Sequence, residues 1–202
     1  PSKKKMQNQE NELNHNILFD ACSSGDIELF SYLVGECHMD INMKNEDGET
    51  ILFNAVRSGS LKTIDILITT YNMNVNELNM KKRTPLFIAC ERGHLKTVKL
   101  LINHQASFFL SDAEHKTPLS LAIESGIVSL ADYLFQEYKT LDVNKKDLNG
   151  CTLLYKACLK GRFEMVEWLI QEKKANIRET TNNKETLLHA AATSKNILLM
   201  TI

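Results

Sequence analysis

The feature that most constrains this chain is a motif that returns in phase six times. Its clearest copy is Thr84-Pro85-Leu86-Phe87-Ile88-Ala89, followed by Gly93-His94-Leu95 and an apolar stripe through Val98, Leu101 and Ile102. Thr84 suits a helix N-cap and Pro85 the first helical position, where a missing N–H costs nothing. Leu86 and Ala89 share one face, and Gly93 can take the positive φ that ends a helix. The stretch therefore reads as a short helix, a break and a second amphipathic helix. The leucine recurs at Leu18, Leu52, Leu86, Leu119, Leu154 and Leu188, at intervals of 34, 34, 33, 35 and 34 residues. Ala21, Ala55, Ala89, Ala122, Ala157 and Ala191 keep the same phase, as do Gly25, Gly59, Gly93, Gly126 and Gly161. The cap slots hold Asn16, Thr50, Thr84, Thr117, Thr152 and Thr186. Such a period specifies a stacked solenoid, because no single unit can bury its own apolar face.

The wording resembles the ankyrin repeat family. Thr84-Pro85-Leu86, Thr117-Pro118-Leu119, Gly93-His94-Leu95, Asp47-Gly48-Glu49-Thr50 and Thr186-Leu187-Leu188-His189-Ala190-Ala191 match its motif, and Val75-Asn76, Val143-Asn144 and Ala175-Asn176-Ile177 match its repeat end. The resemblance implies an all-α repeat solenoid with β-hairpin fingers, about five full repeats and a truncated sixth. A polar tail or N-terminal cap over 1–13 would precede repeats at about 14–43, 44–77, 78–110, 111–144, 145–177 and 178–202. The short last repeat reads as the cut end of a longer protein.

Composition narrows the function classes. Lysine plus arginine number 24 against 25 aspartates and glutamates, so nothing favours nucleic acid or an anionic membrane. No apolar run approaches the roughly 20 residues that span a bilayer, and Lys3-Lys4-Lys5 precede no signal-like segment, leaving at most a weak nuclear signal. Five scattered cysteines, three of them (Cys22, Cys90 and Cys158) on first helices, read as buried reduced thiols of a cytoplasmic, reducing compartment. A host cytosol is the variant for a secreted effector. The histidines make no zinc spacing with them, and no phosphate loop, nucleophile elbow or metal-type carboxylate pair occurs. The expectation is no enzyme, no cofactor and no metal; His94 and His189, in motif slots, should tie neighbouring loops.

Surface is what remains. The resemblance implies a concave groove of finger tips and first helices where partners dock. By position it comprises Glu46, Asp47, Glu49 and Arg57; then Met80, Lys81, Arg83, Glu91 and Arg92; then Ala113, Glu114, Lys116 and Glu124; then Leu148, Asn149, Cys151, Leu159 and Lys160. Desolvated arginines and large apolar groups make hot spots, so Arg83, Arg92, Met80 and Leu148 lead. The expected partner is another protein or peptide, with an acidic patch facing Lys81, Arg83 and Arg92. The expected state is a monomer, with self-association through the C-terminal end as the variant. The alternatives are a substrate-targeting arm of a larger multidomain enzyme or adaptor, and a structural spacer.

Four local features carry expectations of their own. The fingers Met80-Lys81-Lys82-Arg83 and Glu114-His115-Lys116 lack the turn glycine, so Lys82 must bear a strained φ or its turn must differ. Phe108 falls on the repeat's valine slot and reads as core. Phe109 falls on its asparagine slot and reads as core filler between fingers, with an exposed anchor as the alternative. Trp168 reads as a packing residue of the outer face, with an outer-face contact as the alternative.

Overall fold

The computed structural model describes residues 17–196, 198 and 199. The expected tail over 1–13, the Asn16 cap and the helix expected from Ile197 onward lie outside the described residues. A helix covers residues 17–24. It is followed by α1 (Ile27–Gly35), α2 (Ile51–Ser58), α3 (Leu61–Thr69), α4 (Pro85–Glu91), α5 (Leu95–Asn103), α6 (Pro118–Ser125), α7 (Val128–Glu137), α8 (Leu153–Leu159), α9 (Phe163–Gln171) and α10 (Leu187–Ser194). The chain divides into two compact units. The first runs to Ala89 and takes in Lys96–Ser107; the second is Cys90–Leu95 with Phe108 onward.

The repeating residues do what their spacing requires, except Leu188 of the sixth copy, which is 66% exposed. Leu18, Leu52, Leu86, Leu119 and Leu154 are buried, with every alanine of the series from Ala21 to Ala191. In the first unit α2 packs on α3. In the second, α6 packs on α7 and α8, α8 on α9 and α10, and α7 on α9. Gly59 and Gly126 end their helices at φ 74° and 84°. Lys195 takes the same left-handed position, at φ 57°, where the sixth copy has no glycine.

The caps divide. Thr117 and Thr152 each accept from the amide three residues on, Ser120 and Tyr155, at 3.2 Å. Thr84, the model copy of the motif, does not cap with its hydroxyl: that oxygen, like Thr50's, is buried without a hydrogen-bond partner. His189 ties no neighbouring loop; its Nδ1 accepts from the Thr186 amide at 3.2 Å and closes its own helix start. Nor does His94 Nδ1 bond a loop, being buried and unpaired.

The fingers are tight reversals, and none extends into a β-strand among the described residues. In the first unit Gly48 donates to the Asn45 carbonyl and Asn45 to that of Glu49, both at 2.9 Å. The residue opening each finger does the work glycine alone does not. Asn45 Oδ1 accepts from the amides of Asp47 and Glu49, and Asn79 Oδ1 from those of Lys81 and Arg83. Asp112 and Asp147 repeat the pattern in the second unit. This Asx turn lets a side chain stand where the family places glycine. Lys82 holds φ 57° and His115 φ 61°, so the lysine bears the left-handed conformation rather than avoiding it.

Candidate docking site

The polar groups between fingers and first helices set the electrostatics of each unit. In the first unit Glu49 is 3% exposed and accepts from Arg57 at 2.6 Å and Asn79 at 3.0 Å. Burial pushes its carboxyl up, but the hydrogen bonds from Arg57 and Asn79 outweigh this and hold it below the usual range. Glu49 is thus a structural tie, not the groove-facing anion expected of it. Arg83 needs the same correction: at 9% exposed it is buried, so it cannot lead an exposed basic patch. In both cases a charge at a finger end turns inward. Glu46, Asp47, Met80 and Lys81 are exposed at the tips, and Arg57 is half-buried beside Glu49.

The second unit gathers more of the expected residues. A cleft of about 370 Å³ is lined by Glu114, Lys116, Glu124, Leu148, Asn149, Leu159 and Lys160, with His115, Asp147, Cys151, Tyr155 and Lys156. Its lysines are paired: Lys116 with Glu114 at 3.0 Å, Lys156 with Asp147 at 2.8 Å, and Lys160 with Glu124 at 3.5 Å. Leu148, at 68% exposed, and Leu159, at 39%, stand among these pairs. Asn149 and Ala113 are exposed, as are Glu91 and Arg92 of this unit, which do not line the cleft.

The thiol in that cleft is not reactive chemistry. Burial, then the charge of Asp147, raise the Cys151 pKa, so a neutral thiol faces the cleft at neutral pH. Tyr155 donates to Glu185 at 2.9 Å, and burial together with that bond pushes its hydroxyl up to about 12. Asp147 is drawn the other way: burial raises it, but Lys156 and the amides of Cys151 and Asn149 hold it below the usual carboxylate range. Among the described residues no group of three or more His, Cys, Asp or Glu is placed to hold a metal ion. No helix of these residues is long and apolar enough to cross a membrane.

A second cleft, of about 660 Å³, shares Leu148, Cys151 and Lys156 and continues to Phe109, Leu119, Leu141 and Lys145. Sequence reasoning missed it. Phe108 is core as expected and stacks on Tyr138 at 4.1 Å. Phe109 is not filler: it is 70% exposed and meets Phe108 and Tyr138 edge-on at 5.4 and 5.3 Å. The signal was its slot. Asn144, in the corresponding slot, accepts from the Asn176 amide at 2.8 Å, whereas phenylalanine has no amide to spend on a loop. Trp168 packs as expected, edge-on to Phe135 at 5.8 Å with the Lys173 ammonium 4.8 Å above it.

Comparison with known proteins places the chain. A family model described as ankyrin repeats in three copies matches residues 2–79, 67–147 and 138–200. Alpha-latroinsectotoxin-Lt1a of Latrodectus tredecimguttatus is 37% identical over 81 residues, which is 40% of this chain and 6% of the toxin. Alpha-latrocrustotoxin-Lt1a of the same spider is 31% identical over 86 residues, 43% of this chain and 6% of that protein. The chain thus spans about 6% of the length of the curated relatives it matches. A chain in the solved structure of the predatory endopeptidase Bd0816 from Bdellovibrio bacteriovorus, in complex with immunity protein Bd3460, superposes with a TM-score of 0.75 at 24% identity, over 92% of this chain and 95% of that one. That likeness speaks for the fold alone. With family matches running along most of its length and a 34-residue helix pair built as the motif demands, this chain belongs to the ankyrin repeat family.

Proposed function

We propose that this array is a non-enzymatic protein-binding module that docks a partner through the cleft between the Leu148 finger and the Leu159 helix. Ankyrin repeats generally mediate protein–protein interaction. One observation carries the choice of surface. At the finger end and its first helix, Glu49 meets Arg57 at 2.6 Å; the same two positions hold Arg83 and Glu91, then Lys116 and Glu124. At the next step they hold Cys151 and Leu159. In the sequence, the opposite charges that earlier repeats carry at these two positions give way to a thiol and a leucine, and exposed Leu148 lines the same cleft as both. Because the cleft's lysines are neutralised by their own carboxylates, the partner's anchor there is an apolar side chain ringed by polar contacts. The basic patch expected from Lys81, Arg83 and Arg92 is given up with the burial of Arg83.

The test is site-specific photo-crosslinking in the source organism's lysate. Benzoylphenylalanine at Asn149 should capture one protein, the capture should fall at least about fivefold with Leu159→Asp, and the same probe at exposed Glu172 should not capture it. Equal capture from Glu172, or indifference to Leu159→Asp, would remove this surface from consideration.

A further inference from the structure

We infer that the larger cleft of the second unit is a second binding pocket, for an aromatic side chain of an acidic peptide segment, and that it extends the docking surface proposed above. The inference rests on that reading only for the partner being a protein.

Geometry comes first. The cleft has about 660 Å³, within the range that holds a small ligand or a bulky side chain. Its floor is Leu119 and Leu153, both buried, and its two upper walls are Phe109 and Leu148, both about two-thirds exposed. An exposed phenylalanine usually costs an unfavourable hydration shell and gains mobility in return. Phe109 has less of that freedom, because it packs nearly perpendicular to Phe108 and Tyr138, which are themselves stacked within 7° of parallel. A ring held in that way offers its open face to another ring with little ordering left to do.

Charge then selects the peptide. Three lysines, Lys145, Lys146 and Lys156, line the cleft against two aspartates, Asp142 and Asp147. Lys156 is spent on Asp147 at 2.8 Å, and Lys146 on Glu179 at 2.8 Å and the Thr180 carbonyl at 2.9 Å. Asp142 accepts from the amide of Asn144 in its own turn at 2.9 Å. Lys145 is exposed and lines the same cleft as Phe109 and Leu148. An aromatic residue flanked by carboxylates would set its ring between Phe109 and Leu148 and a carboxylate against Lys145. A lysine-flanked one would meet like charge there. The acidic partner expected to face Lys81, Arg83 and Arg92 meets Lys145 instead, on a loop that sequence reasoning passed over.

The probe is N-acetyl-Asp-Phe-Asp-amide, titrated into the whole chain by amide-resolved NMR, beside N-acetyl-Lys-Phe-Lys-amide and N-acetyl-Asp-Ala-Asp-amide. The acidic phenylalanine peptide should shift the amides of Phe109, Lys145 and Leu148 and bind at least about fivefold more tightly than either control. Phe109→Ala should weaken it about fivefold, leaving a folded spectrum because the ring is mostly outside the core. Lys145→Glu, an independent surface change, should reverse the preference between the acidic and basic peptides. Equal binding of the three peptides, shifts confined elsewhere, or Lys145→Glu leaving the preference intact overturns the inference. Persistence of the Asn149 crosslink with no peptide binding would sink only this pocket. Peptide binding without the crosslink would sink only the Leu159 surface.

Discussion

Replacing Glu49 by glutamine isolates one tie in the first unit. The Glu49 side chain is 4% exposed and that of Arg57 31%, with 2.6 Å between their nearest charged atoms. Breaking a fully buried ion pair costs roughly 3–5 kcal/mol, but a third of Arg57 already reaches water and regains hydration when its partner is lost. About 2 kcal/mol is therefore the expected loss for Glu49→Gln, since the glutamine oxygen still accepts from Asn79. In a chain of this size that lowers the melting temperature by roughly 4–8 °C. Far-UV circular dichroism and hydrogen exchange at the amides of α2 and α3 report it. The variant Glu49→Gln/Arg57→Gln should cost less than the two single changes together, with a coupling of about 1 kcal/mol. The pH dependence has a fixed sign. Glu49 titrates below its unfolded value of 4.5, so its contribution is complete above that pH and is lost as pH falls through the lower folded value. The gap between wild type and Glu49→Gln should be constant at neutral pH and close in acid. A gap under about 0.5 kcal/mol at neutral pH, or one that widens in acid, refutes the claim that a charged, inward-turned carboxylate holds this finger.

Three further outcomes follow from side chains already described. Thr152→Val should cost about 1 kcal/mol by removing a working cap, whereas Thr84→Val should cost nothing or stabilise slightly, since its hydroxyl is buried without a partner; paired urea melts decide. Under native conditions a thiol reagent followed by mass spectrometry should label exposed Cys37 first and Cys151 slowly. Cys22, raised by burial to about 12, Cys158, raised to about 11, and Cys90, raised further, should be spared until unfolding. Lys82→Gly should leave stability unchanged or raise it by up to about 1 kcal/mol, because glycine relieves a left-handed lysine; a loss would mean that the lysine side chain contributes more than its backbone costs.

The parts of this molecule that were legible in its sequence are those set by local spacing. The leucine and alanine of the first five repeats are buried on one helical face, and every glycine of the series takes positive φ, because both follow from neighbours within one turn. The buried cysteines followed from the same register. What was hidden depends on distant partners. Glu49 reads as a tip charge until Asn79, 30 residues on, donates to it. Phe109 reads as filler until Tyr138 appears beside it, 29 positions later. Thr84 reads as the best cap in the chain, yet its hydroxyl bonds nothing, a fact of side-chain rotation that residue type does not encode. Of the groove residues, Glu114, Lys116, Glu124, Leu148, Asn149, Cys151, Leu159 and Lys160 line one cleft, whereas Arg83 is buried, because a finger end can point either way.

The Leu148 tip has one more property worth following outward. Asn182 grips it twice, with its amide on the Asn149 carbonyl at 3.0 Å and its side chain on that of Leu148 at 2.8 Å. A methyl group on Gly150 would strike that same Asn182 backbone nitrogen at 2.6 Å. The leucine is therefore mounted on a bolted hinge rather than a swinging one. A visitor finds it already aimed and forfeits little disorder on arrival, so losses of grip there should appear as faster departure, not slower capture. The same bolt leaves no slack for lengthening the tip, which makes this loop a poor place to graft foreign sequence even though its leucine is 68% exposed.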